Sequence, residues 1–333
     1  MVQADPPLRY LTASDVLAAM PDLDERLALA EQTLTALVAD AELPPKIGLH
    51  PRPAASFVHA MPAYLRGSDP TGAGDLMGMK WVAGFPANSG LGLPAIHALV
   101  ILNDPATGRP AAVMDGGPIT AMRTAAVSGV AIGRFARQVA SRAPRAALVG
   151  AGVQGRSHLA VLGRMLPGVE LAIFDRDPER AATLAEEART TAGVADVTVA
   201  ASARDAVVTA DVVVTVASFG PVQQVMTSDW LTPDVLVVAV DYAVYCAAEV
   251  ARDAALFLVD QREQFLANRD AGLFNGYPDP TATLGEAIKA VTGRPATGRV
   301  VVTHLGVGLA DVVFGAAILR RAESLGLGTL LPR

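Results

Sequence analysis

The stretch Ala146-Ala-Leu-Val-Gly-Ala-Gly-Val-Gln-Gly155 decides the fold of this chain. It runs from an apolar segment into three glycines, Gly150, Gly152 and Gly155, and a segment with a helical pattern, Arg156–Met165, follows. The GxGxxG spacing alone is a weak signal, because a chain with 30 glycines produces such spacings by chance. Together, the strand before it and the helix after it predict the start of a dinucleotide-binding βαβ unit.

Each part of this motif has a physical task in binding a dinucleotide. Gly150 permits the tight turn, Gly152 lets a diphosphate approach the backbone, and Gly155 lets the helix and the strand pack closely. The start of the helix offers free N–H groups and a partial positive charge to the phosphates. The predicted cofactor-binding residues are Gly150, Ala151, Gly152, Val153, Gln154, Gly155, Asp175 and Arg176.

The next predicted strand bears on which dinucleotide is bound. Leu171-Ala-Ile-Phe-Asp175 ends in an acid about 20 residues beyond Gly155. Asp175 would accept hydrogen bonds from the ribose hydroxyls and would repel a 2′-phosphate. We therefore predict NAD as the cofactor, and the neighbouring Arg176 leaves NADP as the alternative.

Strand and helix patterns alternate around the glycine motif. A long helix rich in small residues is predicted at 121–137, with Thr120 as its cap. The predicted strands after it are 145–150, 170–175, 196–200 and 211–216, the predicted helices are 153–166, 177–190 and 202–209, and apolar runs follow at 235–240, 255–259 and 299–303. Such alternation predicts a parallel sheet with crossover helices.

The first part of the chain has a different pattern. Its first 40 residues have a helical pattern, with Ser14 and Asp15 as candidate caps of a short helix and Asp22 opening the helix Leu23–Val38. Segments rich in Val, Ile, Met and Phe then predict strands at 56–65, 75–85, 95–104 and 110–116, and a closing helix at 307–325 returns to this part. The predicted fold class is α/β: a Rossmann-type parallel-sheet domain (residues 121–303) plus an α+β substrate domain with a mainly antiparallel sheet (residues 1–120 and 304–333).

Composition excludes several classes of function. The net charge is −6 with both signs scattered along the chain, so neither nucleic acid nor a membrane surface is an expected partner. The single cysteine, Cys246, excludes an intramolecular disulfide and a cysteine-cluster metal site, and the five histidines lack a metal-ligand spacing. The N-terminus lacks the plan of a signal peptide, and no apolar stretch is long enough to span a bilayer. We expect a soluble cytoplasmic protein that binds no metal.

Three cations are candidates for binding a carboxylate. Only three of the 27 basic residues are lysines, and two of them, Lys46 and Lys80, lie in the first part of the chain. Lys80 lies on a predicted strand, where it shares a face with Gly78 and Val82. Arg123 is placed in the first turn of the helix that follows Thr120. An arginine fork and movable lysine charges suit a carboxylate, although each residue taken singly is also compatible with an ordinary surface cation.

Several stretches of the chain resemble the ornithine cyclodeaminase/mu-crystallin family between about residues 44 and 320. They are Met61–Tyr64, Gly78–Asn88, Gly92–Pro94, Asp115–Ser128, the glycine motif with Gln154, and Leu305–Asp311. The run Thr120–Ser128 combined with the glycine motif is specific for the family. The resemblance implies an NAD(P)-binding Rossmann domain plus a dimerisation and substrate domain, usually paired into a homodimer.

The resemblance also assigns roles to individual positions. Lys46 stands where the family has a cation that binds the substrate carboxylate, Lys80 and Arg123 match the other carboxylate and catalytic contacts, Gln154 matches a phosphate-loop residue, and Asp311 matches a family acid. One departure concerns the acid that holds the substrate amine in cyclodeaminases, because Ala243 stands at its position. Asp241 is the candidate replacement, since residues two apart on a strand share a face, although it would be displaced by roughly 6–7 Å.

These observations lead to three hypotheses about function. The first is an NAD(P)-dependent oxidoreductase acting on a small α-amino or α-imino acid, with Lys80, Arg123 and Asp241 as catalytic residues and with Lys46, Lys80 and Arg123 binding the substrate. The second is cyclodeamination, in which NAD is used catalytically and ammonia is released; the absence of an acid at residue 243 weakens it. The third is a non-catalytic dinucleotide- or ligand-binding protein.

Overall fold

The chain divides into two compact units in the computed structural model, which describes residues 6–138, 140–217 and 223–333. Unit 1 is Met1–Arg123 together with Gly306–Arg333, and unit 2 is Thr124–Leu305. The boundaries that the sequence predicts lie after residues 120 and 303, and those of the structure lie after Arg123 and Leu305. The closing helix belongs to unit 1.

The helices and strands follow one another in three stretches of chain. The first stretch contains β1 (Leu8–Leu11), α1 (Ala13–Ala18), α2 (Leu23–Ala36), β2 (Ala41–Glu42), β3 (Ile47–Leu49), β4 (Phe57–Leu65), β5 (Leu76–Gly84), β6 (Ile96–Asn103), β7 (Pro110–Asp115) and α3 (Gly116–Phe135). The second contains β8 (Arg145–Val149), α4 (Val153–Met165), β9 (Val169–Phe174), α5 (Pro178–Arg189), β10 (Val194–Val199), α6 (Ala203–Val207), β11 (Val212–Thr215), β12 (Leu236–Ala239), α7 (Ala248–Arg252), β13 (Leu256–Val259), α8 (Arg262–Asp270), β14 (Ala282–Thr283), α9 (Leu284–Lys289) and β15 (Val300–Thr303). The third contains α10 (Gly308–Ser324) and β16 (Thr329–Leu331). Short 3₁₀ helices occur at Pro86–Leu91 and Ser228–Trp230.

The sheet of unit 1 is mainly antiparallel, which confirms the prediction for this part of the chain. Its strand order is β16-β1-β7-β6-β5-β4-β2, with β3 also paired to β4. The pairs from β4 to β7 are antiparallel, whereas β1 and β7 run parallel. Strands β4 to β7 alternate buried and more exposed residues, because successive side chains point to opposite faces.

Helix α10 covers the buried face of this sheet at short range. A Cβ atom at Gly308 would lie 2.5 Å from the carbonyl oxygen of Met61 on β4, and one at Gly78 on β5 would lie 3.2 Å from a methyl of Val312. Both distances are too short for ordinary packing, so glycine at these positions brings the helix and the sheet together. This close approach places the first turn of α10 against β4 and β5.

The sheet of unit 2 is parallel, as the alternating pattern predicts. Its strand order is β10-β9-β8-β11-β12-β15-β13-β14. The order reverses direction between β8 and β11, and in open parallel sheets ligands bind at the carboxyl ends of the strands beside such a reversal. The glycine motif follows β8 and therefore lies at this edge.

The start of α3 differs from the prediction. The helix begins at Gly116 rather than after Thr120, and the Thr120 hydroxyl donates to the Gly116 carbonyl within it (2.7 Å). Asp115 accepts from the Gly117 amide (2.8 Å), and Pro118 is tolerated because the first turn needs no intrahelical N–H. Arg123 consequently lies about two turns into the helix and not in its first turn.

The N-terminal segment also differs in part. Residues 8–11 form strand β1, because β7 and β16 pair with both of its edges. Thr12, not Ser14 or Asp15, caps α1; Asp15 completes the capping box three residues later. Asp22 caps α2 as predicted.

Helices of the described chain are all too short or too polar to cross a bilayer.

Candidate functional site

A buried cluster of charged side chains lies in unit 1. The Asp311 carboxylate forms an ion pair with Lys80 through Oδ2, which lies 2.8 Å from Nζ, and accepts a hydrogen bond from Arg123 Nε at 3.2 Å through Oδ1. Lys80 is 1% exposed and Asp311 is 0% exposed, and Arg123 is also buried. Two cations around one carboxylate leave the cluster with an excess of positive charge when Lys80 is protonated.

Separate elements supply the members of this cluster. The alternation along β5 places Lys80 on one face with Gly78 and Val82, as predicted, and this face is buried. Asp311 lies in the first turn of α10, where the helix dipole favours a negative charge. The backbone passes so close to Arg123 that a Cβ atom at Gly306, whose φ is +75°, would overlap the guanidinium group.

Burial and neighbouring charges set the protonation of Lys80. Burial, together with the positive charge of Arg123, lowers its pKa to about 7 against the opposite influence of Asp311. The Thr120 hydroxyl lies 3.5 Å from Nζ. A buried amine with a pKa near neutrality can donate or accept a proton at physiological pH.

Lys46 and His59 lie near this cluster within unit 1. Lys46 directly precedes β3 and is partly buried, and its positive charge lowers the pKa of both Lys80 and His59. The pKa of His59 falls to about 4, mainly through burial, so this imidazole is neutral at pH 7. The structure thus brings together the three cations that the sequence singled out.

His59 was not predicted as a site residue, and Asp311 was matched to a family acid without a role at the site. His59 lies two residue pairs along from Lys80, since His59 pairs with Val82 and Met61 pairs with Lys80. The alternation of β4 carried a signal for His59, because residues 59 and 61 share a face. The only indication for Asp311 was the family resemblance of the stretch Leu305–Asp311. Nothing in its local sequence indicates that it pairs with Lys80 and Arg123.

The glycine turn of unit 2 has the geometry of a diphosphate site. Gly150 has a φ of +116°, and a Cβ atom there would lie 2.7 Å from the Val216 carbonyl oxygen. A Cβ atom at Gly155 would overlap the carbonyl oxygen of Gly150, so the helix packs directly on the turn. A Cβ atom at Gly152 would meet nothing within 4 Å. The turn is therefore closed on two sides and open at Gly152, where a ligand can approach the start of α4.

The acid after β9 lies beside this turn. Asp175 accepts from the Ala151 amide at 2.7 Å and from the Asp177 amide at 2.9 Å. Arg176 and Val153 are exposed, and Gln154 is partly buried. These residues form one surface at the carboxyl edge of the parallel sheet, and their donors and open backbone fit a dinucleotide.

Asp241 lies in a strained turn of unit 2 and not on a strand. Strand β12 ends at Ala239, and Tyr242 and Ala243 have φ values of 52° and 61°. The left-handed region costs a residue with a Cβ about 1–2 kcal/mol. Residues 241 and 243 therefore do not share a strand face, contrary to the prediction, because the chain turns between them.

The environment of Asp241 favours its protonated form. It is buried, and this burial raises its pKa to about 7, against the opposite influence of the Thr215 hydroxyl and of nearby backbone amides. Ala243 is fully buried in the apolar core. A carboxyl group with this pKa can exchange a proton near neutral pH, as a catalytic acid or base must.

Comparison with known proteins identifies relatives that match most or nearly all of the chain. The ornithine cyclodeaminase/mu-crystallin family model matches residues 12–325. The nodulation efficiency protein NfeD of Rhizobium meliloti is 36% identical over 333 residues, which cover 98% of this chain and 98% of that protein. The ketimine reductase mu-crystallin of Mus musculus is 32% identical over 262 residues, covering 77% and 78% of the two chains.

Solved structures share the complete fold. The Δ1-pyrroline-2-carboxylate reductase of Thermococcus litoralis, in complex with NADH and L-proline, superimposes with a TM-score of 0.85 at 26% identity, covering 97% of this chain and 100% of that one. An archaeal alanine dehydrogenase dimer with bound NAD gives a TM-score of 0.81 at 26% identity, covering 97% and 98%.

Proposed function

This chain belongs to the ornithine cyclodeaminase/mu-crystallin family, and we propose that it is an NAD-dependent oxidoreductase that acts on a small α-amino or α-imino acid. The observation that carries the proposal is the buried cluster of Lys80, Arg123 and Asp311. Replacing a buried ion cluster by apolar side chains is often neutral or stabilising, so stability alone is a weak reason to keep it. Binding and protonating a carboxylate-bearing substrate is a chemical reason.

Unit 2 is proposed to bind the dinucleotide. The amide groups at the start of α4 would donate to its diphosphate, and Gly152 would let the diphosphate approach. Asp175 would accept from ribose hydroxyls and would disfavour a 2′-phosphate, so we propose NAD over NADP. When bound, the nicotinamide supplies or accepts a hydride at the substrate's α-carbon.

Unit 1 is proposed to bind and protonate the substrate. Arg123 and Lys46 would hold the carboxylate, because a guanidinium offers a paired set of donors and a lysine a movable charge. In the direction of reduction, hydride adds to the α-carbon, the C=N double bond becomes a single bond, and Lys80 gives its proton to the nitrogen. The products are an amino acid and oxidised dinucleotide, and the reverse direction is amino-acid oxidation.

Asp241 is the proposed second catalytic residue. Its pKa of about 7 lets it take up or release the proton that amine formation requires. Ala243 has no polar group to hold a second substrate amine, and Asp241 cannot replace an acid at 243 by sharing its strand face. We therefore propose net redox chemistry ahead of cyclodeamination.

One substrate panel with two readouts tests this function. Cyclic imines with an α-carboxylate, and keto acids with ammonia or methylamine, are each mixed with NADH, and amino acids with NAD; nicotinamide absorbance and released ammonia are followed together. We expect absorbance to change in proportion to product with at least one cyclic or open-chain imine. Ammonia released from a diamine without a net change in absorbance would overturn the proposal in favour of cyclodeamination. NADH binding without turnover on the whole panel would favour a binding protein.

We further propose that the enzyme is a homodimer that pairs through the outer face of the unit 1 sheet. Trp81 on β5 and Leu99 on β6 are direct strand partners on this face, and they are 41% and 40% exposed. Large apolar side chains side by side on an open sheet face mark an interaction surface. The alanine dehydrogenase with the same fold is itself a dimer.

Charge on this face is expected to separate the protomers. Trp81→Glu combined with Leu99→Glu places two acids on the proposed interface, so light scattering on a sizing column should give the mass of one chain rather than two. Val208→Glu is the control, because Val208 is 48% exposed but belongs to unit 2. A wild-type monomer, or a double variant that stays dimeric, would refute the proposed surface.

A further inference from the structure

A continuous chain of buried hydrogen bonds in unit 2 begins at the glycine turn. His158 Nδ1 contacts the Gln154 carbonyl oxygen at 2.6 Å, and His158 Nε2 contacts the Ser128 hydroxyl at 2.8 Å. The same hydroxyl contacts His304 Nε2 at 2.9 Å. Ser128 and His158 are 0% exposed and His304 is 1% exposed. We call these three side chains the Ser128 relay.

The position of every proton in the relay follows from its first contact. A carbonyl oxygen only accepts, so His158 Nδ1 must carry the proton. Burial lowers the pKa of His158 to about 4, so the ring is neutral and its Nε2 accepts from the Ser128 hydroxyl. Ser128 has then used its single proton, and His304 Nε2 must donate to it. The relay therefore has one defined direction, from His304 through Ser128 and His158 to Gln154.

One end of the relay lies at the proposed dinucleotide-binding turn, and the other end lies in the loop after β15. Gln154 follows Val153 at the start of α4, directly on the glycine turn. His304 directly follows β15 and precedes Leu305, whose amide donates to Asp260 at 2.9 Å and whose carbonyl accepts from Tyr242 at 3.2 Å. The relay thus joins the glycine turn to the loops after β12 and β15.

Filling space does not explain the relay. The surrounding sheet and helices of unit 2 are built largely from alanine, valine and leucine, which would fill the same volume without desolvating polar groups. A buried hydrogen-bond network instead fixes one geometry of the groups that it joins. The group that it fixes here is the carbonyl of Gln154.

We propose that Ser128, His158 and His304 are positioning residues for dinucleotide binding, which hold the Gln154 carbonyl so that the first amides of α4 stay aimed at the diphosphate. This inference rests on the proposed function, because it requires the glycine turn to bind a dinucleotide. Because its three side chains are buried, the relay is proposed to act without contacting the dinucleotide or the substrate. It acts through the orientation of the first turn of α4.

Two substitutions of one histidine separate positioning from stability. The amide nitrogen of His158→Asn can replace Nδ1 and keep the bond to the Gln154 carbonyl, whereas that of His158→Gln replaces Nε2 and loses it. Each variant breaks one hydrogen bond of the same buried ring, so the melting temperatures should fall by similar amounts. The dissociation constant of NADH, measured by fluorescence or calorimetry, should rise about three- to tenfold in His158→Gln and less than about twofold in His158→Asn.

Steady-state kinetics and a core variant provide the controls. At saturating NADH the KM for the imino acid should be unchanged in both variants, while the KM for NADH follows its dissociation constant. Val301→Ala truncates a buried apolar side chain on β15 and should lower the melting temperature without changing NADH affinity. A wild-type protein that binds no NADH would refute the proposed function. If the wild type binds NADH but His158→Gln and His158→Asn are affected equally, or Val301→Ala weakens binding as much, the relay is only structural and the inference is overturned.

Discussion

Replacing Lys80 with methionine is expected to lower kcat/KM for imino acid reduction by about two to four orders of magnitude, the usual contribution of a positioned general acid. Methionine has nearly the length of lysine but carries neither a charge nor a proton. The variant therefore loses the group that would protonate the nitrogen while it keeps the volume that β5 packs against α10. Binding of NADH should be unchanged, because the glycine turn belongs to unit 2.

The same variant should fold normally, so that lost activity reports lost chemistry. Asp311 keeps its contact with Arg123, and methionine suits a site in which Lys80 is 1% exposed. The pKa of Lys80 is already lowered to about 7, so losing its charge costs less than breaking a fully ionised pair, and we expect the free energy of unfolding to stay within about 1 kcal/mol of the wild-type value. Lys289→Met is the matched control, because Lys289 is an exposed lysine at the end of α9 and should keep full activity. Full activity of Lys80→Met would remove Lys80 from the mechanism.

The parallel sheet could be predicted from the sequence, because the local residue patterns and the tertiary packing favour the same structure there. The glycine spacing, the acid at Asp175 and the alternation of apolar and helical segments all have local causes, and each has its counterpart in the structure. The period of two along β5 likewise placed Lys80 on one face with Gly78 and Val82, and the structure shows that this face is buried. Patterns of this kind depend on which side of a helix or strand is buried. They can therefore be recognised in the sequence without knowing which segment packs against that side.

The short strands β1 and β2 could not be predicted from the sequence, because pairing with their partner strands, and not their own residue patterns, makes them strands. β1 has four residues and β2 has two, and each is fixed by hydrogen bonds to distant segments. The start of α3 was misplaced for a related reason. Gly116-Gly-Pro118 resembles a loop, yet Asp115 bonds to the Gly117 amide and the proline falls where its missing N–H costs nothing.

The cations of the candidate site could be predicted from the sequence, but the contacts between them could not. The rarity of lysine and the resemblance singled out Lys46, Lys80 and Arg123, and these residues lie together in unit 1. That Asp311 joins Lys80 to Arg123 depends on how closely α10 approaches β5, which is a tertiary property. The turn at Tyr242 and Ala243 was also hidden, because two consecutive left-handed residues without glycine run against local preference.

Asp311→Asn is expected to have the second large effect, because one carboxylate balances two buried cations. Removing one member of a buried ion pair lowers the free energy of unfolding by about 3–5 kcal/mol. Lys80 can relieve part of this cost by giving up its proton, so we expect the free energy of unfolding at pH 7 to fall by about 3 kcal/mol. Urea denaturation measures this change. Asp196→Asn, an exposed acid on β10, is the control and should have no such effect.

Restoring charge balance should recover part of the stability that Asp311→Asn loses. The double variant Lys80→Met with Asp311→Asn removes one cation together with the anion, so only Arg123 stays buried without its partner. We expect its loss of stability to be smaller than the sum of the two single losses by about 1–3 kcal/mol, the range found for residues in contact. Additive losses would show that the ion pair between Lys80 and Asp311 contributes nothing.

The pH dependence of Asp311→Asn tests the proposed role of Lys80 independently of stability. Protonated Lys80 is the active form for imine reduction, so the wild-type rate should fall as pH rises through about 7. Asp311 raises the pKa of Lys80, and without this negative charge the pKa moves below its wild-type value. The falling limb of the rate profile should therefore move to lower pH, and part of the lost activity should return on acidification. A limb that stays in place would mean that another group donates the proton, and Asp241, whose pKa is also about 7, would be the first to examine with Asp241→Asn.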